Sequence, residues 1–167
     1  MTDLPVSAAI IAFNEEDKIE DCIKSLWWVD EIVVVDSHSA DRTREIAKKF
    51  GARVIDRDWP GHIDQKNFAL SAARNPCVIS LDADERVSKT LCEEILAALT
   101  EPDAGEYNGW AMPRRVFYIN RWIQYCGWYP QRKVRLVKKD KARWGGIDPH
   151  DRLIVSGKVK NLSGDIY

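Results

Sequence analysis

The sequence predicts an α/β protein in which a mostly parallel sheet is flanked by helices. In the first hundred residues, short apolar runs alternate with segments whose apolar residues recur every three or four positions. Polar or acidic residues follow directly after three of these runs, and ligands of parallel sheets bind at the carboxyl ends of the strands. A chain of 167 residues is long enough for one such domain.

Four apolar runs are the predicted strands, and their Val, Ile and Ala content is typical of strands buried on both faces. They cover residues 6–13, 31–36, 52–57 and 77–82. The three helices predicted between them cover residues 16–28, 41–51 and 64–75. Asp41 is the expected cap of the second helix and Gly51 its end. The order β-α-β-α-β-α-β favours right-handed crossovers and therefore parallel strands.

After residue 100 the pattern changes to two strand-like runs, at residues 109–119 and 132–139, with an aromatic and polar stretch between them. No helical period separates the runs, so we expect an antiparallel extension of the same sheet. The chain has no low-complexity linker and no internal repeat. A single domain over residues 1–167 is therefore expected.

Composition excludes several classes of protein. The 25 basic and 26 acidic residues give a net charge of −1, which predicts no nucleic-acid partner. No apolar run reaches the roughly 18 to 20 residues that cross a bilayer, and no basic leader is found, so we expect a cytoplasmic protein. The cysteines are spread singly, which favours reduced, structural thiols: Cys22, Cys77, Cys92 and Cys126.

Three carboxylates follow the last predicted strand, in the segment "VISLDADERV". Asp82, Asp84 and Glu85 would repel one another without a positive partner. In an extended segment Asp82 and Asp84 would face the same side, as two ligands of one hard cation should. This D-x-D pair favours a site for Mg²⁺ or Mn²⁺, and a solvated acidic turn is the alternative.

Other polar residues at strand ends are candidates for nucleotide binding. Asp36 ends the second strand, where a carboxylate can bind a base or a ribose, and a turn cap is the alternative. Asn14 and Glu15 follow the first strand, where they would equally cap a helix. No glycine-rich phosphate loop occurs in the sequence. A bound diphosphate would therefore need a metal ion and basic side chains such as Lys66, Arg114 or Arg132.

Four segments, in this order, resemble the nucleotide-sugar-binding half of the family 2 glycosyltransferases, which have the Rossmann-like GT-A fold. They are "AIIAFNEEDKIEDCIKSL", "VDEIVVVDSHSADRT", "IDQKNFAL" and "VISLDADERV". Two later segments, "WYPQRKVRLVKK" and "WGGIDPHDRL", are similar to bacterial lipopolysaccharide-core glycosyltransferases that use UDP-glucose. The resemblance implies that residues 1–100 bind the donor and that residues 101–167 face the acceptor. The similar enzymes continue with a further segment, so the acceptor side is expected to be short here.

The resemblance also implies an activity and roles for individual residues. The activity is the inverting transfer of a hexose, glucose, from a UDP-sugar to a saccharide acceptor such as the lipopolysaccharide inner core, with a divalent cation. It further implies peripheral contact with the inner membrane, and it leaves the oligomeric state open. Phe13, Asn14, Glu15 and Asp36 would hold uracil and ribose. Lys66 and Asn67 would lie near the nucleotide, and Asp84 would contact the metal.

An inverting transfer needs a carboxylate that takes the proton from the acceptor hydroxyl. In the similar enzymes a His-Glu pair follows a Trp-Gly-rich turn, and here the corresponding turn gives His150 and Asp151. Asp151 is therefore the expected base and Asp148 the alternative, while the role of His150 stays open. Trp128 and Trp144 would either offer a face to a sugar ring or, as expected for most of the tryptophans, pack in the core.

Two other functions fit parts of the pattern. A nucleotide-sugar-binding module would keep the fold without turnover. A haloacid-dehalogenase-like phosphatase would also carry D-x-D after a strand, with the first Asp as nucleophile. That class places the motif on its first strand, whereas here two acidic strand ends precede it.

Overall fold

The computed structural model of the chain describes residues 4–118, 121–123, 129–148 and 150–167, and for residues 116–118 and 121–123 it describes the backbone alone. The first half contains the predicted alternation of strands and helices. Its elements are β1 (Val6–Ala12), α1 (Ile19–Lys24), β2 (Glu31–Asp36), α2 (Thr43–Lys49), β3 (Arg53–Asp56), α3 (His62–Ala72) and β4 (Cys77–Asp82).

Helix α1 is much shorter than the sequence predicts. The backbone N–H groups of Asn14, Glu15 and Glu16 donate to side chains in the loop before α2 and to Thr43, the first residue of α2. These residues therefore brace two neighbouring loops instead of extending the helix. Asp41 lies in that second loop, where its carboxylate accepts from the backbone N–H of Thr43 as well as from that of Glu16.

Helix α4 (Lys89–Thr100) was not predicted, although the sequence carries its signals. The hydroxyl of Ser88 accepts a hydrogen bond from the backbone N–H of Leu91, as an N-cap does. Its buried side chains recur with the helical period at Leu91, Cys92, Ile95, Ala98 and Leu99. Within the described residues, no helix is long and apolar enough to cross a membrane.

The second half of the chain is built mainly of strands. They are β5 (Tyr107–Arg114), β6 (Val116–Tyr118), β7 (Arg121–Ile123), β8 (Gln131–Lys138), β9 (Ala142–Ile147), β10 (His150–Val155) and β11 (Lys158–Asn161). Strands β6 and β7 form one antiparallel pair, and β9 and β10 form another. The two runs predicted after residue 100 correspond to β5, together with β6, and to β8.

A seven-stranded sheet contains strands from both halves, in the order β11-β5-β8-β4-β1-β2-β3. Strands β1 to β4 are mutually parallel, and β8 is antiparallel to both β4 and β5. This confirms the mostly parallel sheet with an antiparallel extension. Because β8 runs against β4, its first residues lie at the sheet edge where β4 ends.

Apolar clusters cover both faces of the sheet, which explains why β1 is buried along its whole length. Alternate residues of β1 enter the two clusters: Val6, Ala8 and Ile10 enter one, and Ala9 and Ile11 enter the other. The first cluster includes residues of α1, α2 and α4, and the second includes residues of α3 with the β9-β10 pair.

The described cysteines, Cys22, Cys77 and Cys92, are buried and free, as the sequence predicts. Burial raises the pKa of the Cys77 thiol to about 11, which keeps it protonated and unreactive at neutral pH. Cys126 lies outside the described residues.

The last residues of the chain pack against the segment that follows β4. Arg86 and Tyr167 exchange backbone hydrogen bonds, and Ser88 donates to the carbonyl of Asp165. Gly164 lies against the start of α4, and a Cβ atom at this position would meet backbone atoms of Leu91 at 2.4 and 2.6 Å. The terminal segment therefore fixes the turn that carries the acidic motif.

We expect Gly164→Ala to destabilise the protein by about 1 to 3 kcal/mol, because the added methyl group overpacks against backbone that cannot move aside. A decrease of about 2 to 4 °C in Tm per kcal/mol should follow in a thermal melt. The matched control is Gly105→Ala, where a Cβ atom meets nothing within 4 Å. Equal melting temperatures for the two variants would contradict this packing.

Candidate active site

A cleft of about 640 Å³ opens at the carboxyl ends of β1 and β4. The beginning of α3, the end of β5, the first half of β8 and the beginning of β10 form its other walls. The polar and aromatic residues that line it are Phe13, Glu15, Trp59, His62, Lys66, Asp82, Asp84, Arg114, Gln131, Lys133, Arg135, His150, Asp151 and Arg152. The cleft thus brings together both predicted D-x-D carboxylates and the predicted base.

Lys66 is the positive partner of two of these carboxylates. Its ammonium lies 3.0 Å from Asp82 Oδ1 and 2.7 Å from Asp151 Oδ2, and its side chain is only 6% exposed. Burial raises the pKa of Asp82, but the charges of Lys66 and Arg135 more than offset this and hold it below the ordinary value. Asp82 therefore already has a positively charged side chain as its partner.

Glu85 has its own cation beneath the cleft floor. Arg135 Nη2 lies 2.8 Å from Glu85 Oε1 and its Nε lies 3.2 Å from Oε2, so the pair is bidentate. Both residues are buried. Glu85 Oε2 also accepts the backbone N–H of Asp82 at 3.1 Å, which fixes the turn after β4. Two of the three clustered carboxylates are thus neutralised within the protein.

Asp84 is the third, and within the described part of the chain no hydrogen bond or ion pair engages its carboxylate. Burial, and after it the carboxylates of Glu85 and Asp82, raise the pKa of Asp84. The same residues contain no group of three or more His, Cys, Asp or Glu side chains that would hold a metal ion. A carboxylate without a partner fits a cation whose other ligands are water and phosphate oxygens, as is usual for Mg²⁺.

The D-x-D segment differs from the prediction in its local conformation. Asp82 ends β4, but Asp84 lies in a turn and not in an extended strand, and the backbone N–H of Glu85 donates to the carbonyl of Asp82. Both carboxylates reach the cleft because the turn folds over its floor, not because side chains alternate along a strand.

Phe13 and Glu15 line the cleft, and the Phe13 ring is 57% exposed. Asp36 is instead fully buried, and it accepts the backbone N–H and the hydroxyl of Ser39 at 2.7 and 2.6 Å. Ser39 in turn accepts the backbone N–H of Asn14. The structure thus shows Asp36 in a turn-cap arrangement, the alternative that the sequence left open, and Asn14 as part of the same loop brace.

Five residues predicted for the site do not line the cleft: Asn14, Asp36, Asn67, Arg132 and Asp148. The amide nitrogen of Asn67 donates to the backbone carbonyl of Trp144, and its amide oxygen accepts the backbone N–H of Trp144, so this side chain is tied to β9. Arg132 donates to the carbonyl of Leu162. It lies between Gln131 and Lys133, which face the cleft, so its own side chain points to the other face of β8.

Asp148, the alternative base, accepts the backbone N–H of Ile63 at 3.2 Å. This bond places its carboxylate at the beginning of α3, where it caps the helix. Asp151 is the predicted base that the fold brings next to Lys66.

The family model for glycosyl transferase family 2 matches residues 7–154. The chain belongs to this family. Its fold is that of the GT-A glycosyltransferases, as the solved structures most like it also indicate.

Curated relatives of this family 2 chain come from several bacteria. It is 34% identical to the lipopolysaccharide core biosynthesis glycosyltransferase LpsC of Rhizobium meliloti, over 95% of this chain and 60% of that protein. It is 46% identical to an uncharacterized glycosyltransferase of Rickettsia felis, over 97% of this chain and 58% of that protein. The chain thus spans about 60% of the length of these relatives.

Solved structures with the same fold include two phosphoglycerate glycosyl synthases. The first is glucosyl-3-phosphoglycerate synthase from Mycobacterium tuberculosis in complex with Mn²⁺, UDP and glucosyl-3-phosphoglycerate. It is 25% identical to this chain, with a TM-score of 0.57, and the match covers 68% of this chain and 45% of that one. Mannosyl-3-phosphoglycerate synthase from Rubrobacter xylanophilus is 27% identical, with a TM-score of 0.57 over 67% of this chain and 40% of that one.

The phosphatase alternative disagrees with the site of this family 2 chain. Its D-x-D motif belongs on a first strand with a nucleophilic first Asp, whereas here the motif follows β4. Asp82 is also held by the Lys66 ammonium, which lowers the nucleophilicity of its carboxylate.

Sequence reasoning missed several residues of the cleft, among them Lys133, Arg135, Arg152, Trp59 and His62. A signal for two of them is the spacing of two between Gln131, Lys133 and Arg135, which places one face of a strand at the site. Trp144 is buried, and its indole N–H donates to Ser80, which confirms core packing. Trp128 lies outside the described residues, and His150 is exposed in the cleft.

We expect Glu85→Ala to cost about 3 to 5 kcal/mol of unfolding free energy, because it leaves the Arg135 guanidinium buried without a counter-charge. Chemical denaturation measures this loss. The matched control is Glu93→Ala, since the exposed Glu93 lies 3.8 Å from Lys89 and such a pair contributes only about 0 to 1 kcal/mol.

The double variant Glu85→Leu with Arg135→Met removes both charges and should recover most of the loss. If Glu85→Ala destabilises no more than Glu93→Ala, the buried pair does not support the turn.

Proposed function

We propose that this chain forms the donor-binding and catalytic cleft of an inverting glycosyltransferase, which transfers glucose from a UDP-sugar to a saccharide acceptor of the lipopolysaccharide core. The observation that carries the proposal is that the carboxylates of the cleft differ in their partners. Asp84 is left without a partner, and Asp151 lies on the other side of the shared Lys66. The name of the LpsC relative supports the lipopolysaccharide acceptor, and the UDP and Mn²⁺ in the mycobacterial structure support the donor and the cation.

On the donor side, the exposed Phe13 ring offers a flat apolar face to the base, and Glu15 lies beside it. Asp36 acts through Ser39, because its carboxylate is closed off by that residue. The loop that Ser39 and Asn14 form would then shape the uridine site. Asp84 would hold a divalent cation, which when bound supplies the positive charge that stabilises the departing diphosphate.

On the acceptor side, Asp151 would take the proton from the attacking hydroxyl. Lys66 contacts its Oδ2, so Oδ1 is the oxygen available to accept that proton. The ion pair also fixes the direction in which the carboxylate points, which matters because a base must lie within hydrogen-bond reach of the proton that it removes. A single displacement with one base needs no covalent intermediate, in agreement with inversion.

Asp84→Asn should weaken UDP binding strongly in the presence of Mn²⁺ and only slightly when a chelator is present, because Asp84 contacts the nucleotide through the cation. Calorimetric titration with UDP under both conditions measures this. Asp17→Asn is the matched control, as Asp17 is an exposed aspartate of the neighbouring loop. UDP binding that is equal with Mn²⁺ and with chelator would disprove the cation site.

Asp151→Asn should lower the turnover of UDP-glucose, with a heptose-containing acceptor, by about 10² to 10⁴-fold and leave UDP affinity nearly unchanged. Asp148→Asn is the control, since Asp148 caps α3 and should keep transfer. Full transfer by Asp151→Asn together with loss in Asp148→Asn would reverse the assignment. UDP binding by the unaltered chain without any release of UDP from UDP-glucose would indicate a binding module.

A further inference from the structure

One segment of the chain is strongly basic, although the whole chain has a net charge of −1. Residues 107–139 contain eight Lys or Arg and no Asp or Glu. This segment supplies β5 and β8, which form the wall of the cleft on the side of the antiparallel extension. The positive charge of the protein is therefore concentrated beside the site.

Three of these basic side chains reach the cleft: Arg114, Lys133 and Arg135. Arg135 already forms a bidentate ion pair with Glu85, and Arg114 lies 3.8 Å from the same carboxylate. For Lys133 the described part of the structure gives no ion pair. Burial, followed by the positive charges of Arg135 and Arg114, lowers the pKa of Lys133, so its surroundings are electropositive.

Lys133 lies on the side of the proposed base. Strand β10, which carries Asp151, packs against β8, which carries Lys133, and both residues line the cleft. Arg152 follows Asp151 in β10, lines the same cleft and is also without an ion pair among the described residues. Two unpaired cations thus lie next to the residue that must contact the acceptor.

Such an arrangement is stable when an anion completes it, because a half-buried cation beside two others is otherwise unfavourable. We infer that the acceptor carries an anionic group, a phosphate or a carboxylate, which Lys133 and Arg152 bind next to Asp151. The inference rests on the proposed function, since Asp151 identifies the acceptor side. Both cations line a cleft rather than an outer surface, which favours a group on a small ligand over a membrane.

Binding of three probes tests this inference: glucose 6-phosphate, glucuronate and glucose. Each is titrated calorimetrically into the protein alone and into the protein saturated with UDP and Mn²⁺, which fills the donor phosphate site. The two anionic sugars should bind at least about tenfold more tightly than glucose, and Lys133→Gln should remove that advantage. Tighter binding of glucose 6-phosphate indicates a phosphate on the natural acceptor, and tighter binding of glucuronate indicates a carboxylate.

Two control variants separate charge from folding. Lys133→Arg keeps the positive charge and should retain binding of the anionic sugars. Lys89→Gln removes the positive charge of a lysine on α4 whose side chain is 85% exposed. Thermal melts of all variants check their folding. The inference is overturned if glucose binds as tightly as the anions, or if Lys133→Gln weakens UDP instead of the sugars.

A failure of the proposed function gives a different result. In that case UDP does not bind in the presence of Mn²⁺. The titrations into the protein without UDP still compare the binding of the anionic sugars with that of glucose, and they compare Lys133→Gln with the unaltered chain. If the unaltered chain then binds the anionic sugars no more tightly than glucose, the anion site is refuted independently.

Discussion

Three carboxylates at the end of one buried strand are tolerated because two buried cations meet two of them. Lys66 comes from α3 and Arg135 from β8, and both lie over the ring of Trp144, at 4.5 and 5.4 Å from its centroid. Asn67 and Ser80 hold Trp144 in place. Helix α3, the sheet and the β9-β10 pair are therefore joined through one set of charges on one aromatic ring, and the geometry of the cleft depends on that set.

The antiparallel strand explains how the residues proposed for the donor and those proposed for the acceptor share one edge of the sheet. Parallel strands deliver Phe13 and Asp82 at their carboxyl ends, whereas β8 delivers Lys133 and Arg135 near its beginning because it runs in the opposite direction. Strand β5 runs against β8, so it ends at the same edge with Arg114, which pairs with Gln131. The sheet thus places acidic strand ends and a basic wall side by side in a single cleft.

The sequence predicted those features that depend on local period or on the ends of strands. The four parallel strands, the D-x-D position and Glu15 were found in this way, whereas the resemblance to the family 2 glycosyltransferases pointed to Asp151 and placed Lys66 near the nucleotide. Asn67 and Arg132 were predicted for the site but do not line the cleft. Neighbouring residues of a helix or strand face different directions, and only non-local pairing decides which one faces the site. Arg135 shares a spacing of two with Gln131 and Lys133 but was overlooked, and because the register of β8 on β5 shifts beside Trp110, the spacing alone does not fix its direction. The N-cap Ser88 and the helix after it were within reach of the sequence and were overlooked.

The position of Lys66 makes the two aspartates of the D-x-D motif unequal. Both oxygens of Asp82 lie within 3.4 Å of its ammonium, so a divalent ion at Asp82 would compete with a cation that is already buried there. Asp84 presents no such competitor. Coulomb repulsion between Lys66 and a bound cation would instead push the ammonium toward Asp151, its other partner at 2.7 Å. The first aspartate is thus placed to orient Lys66, the second has no ion pair among the described residues, and the proposed base Asp151 is linked to the D-x-D motif through one lysine.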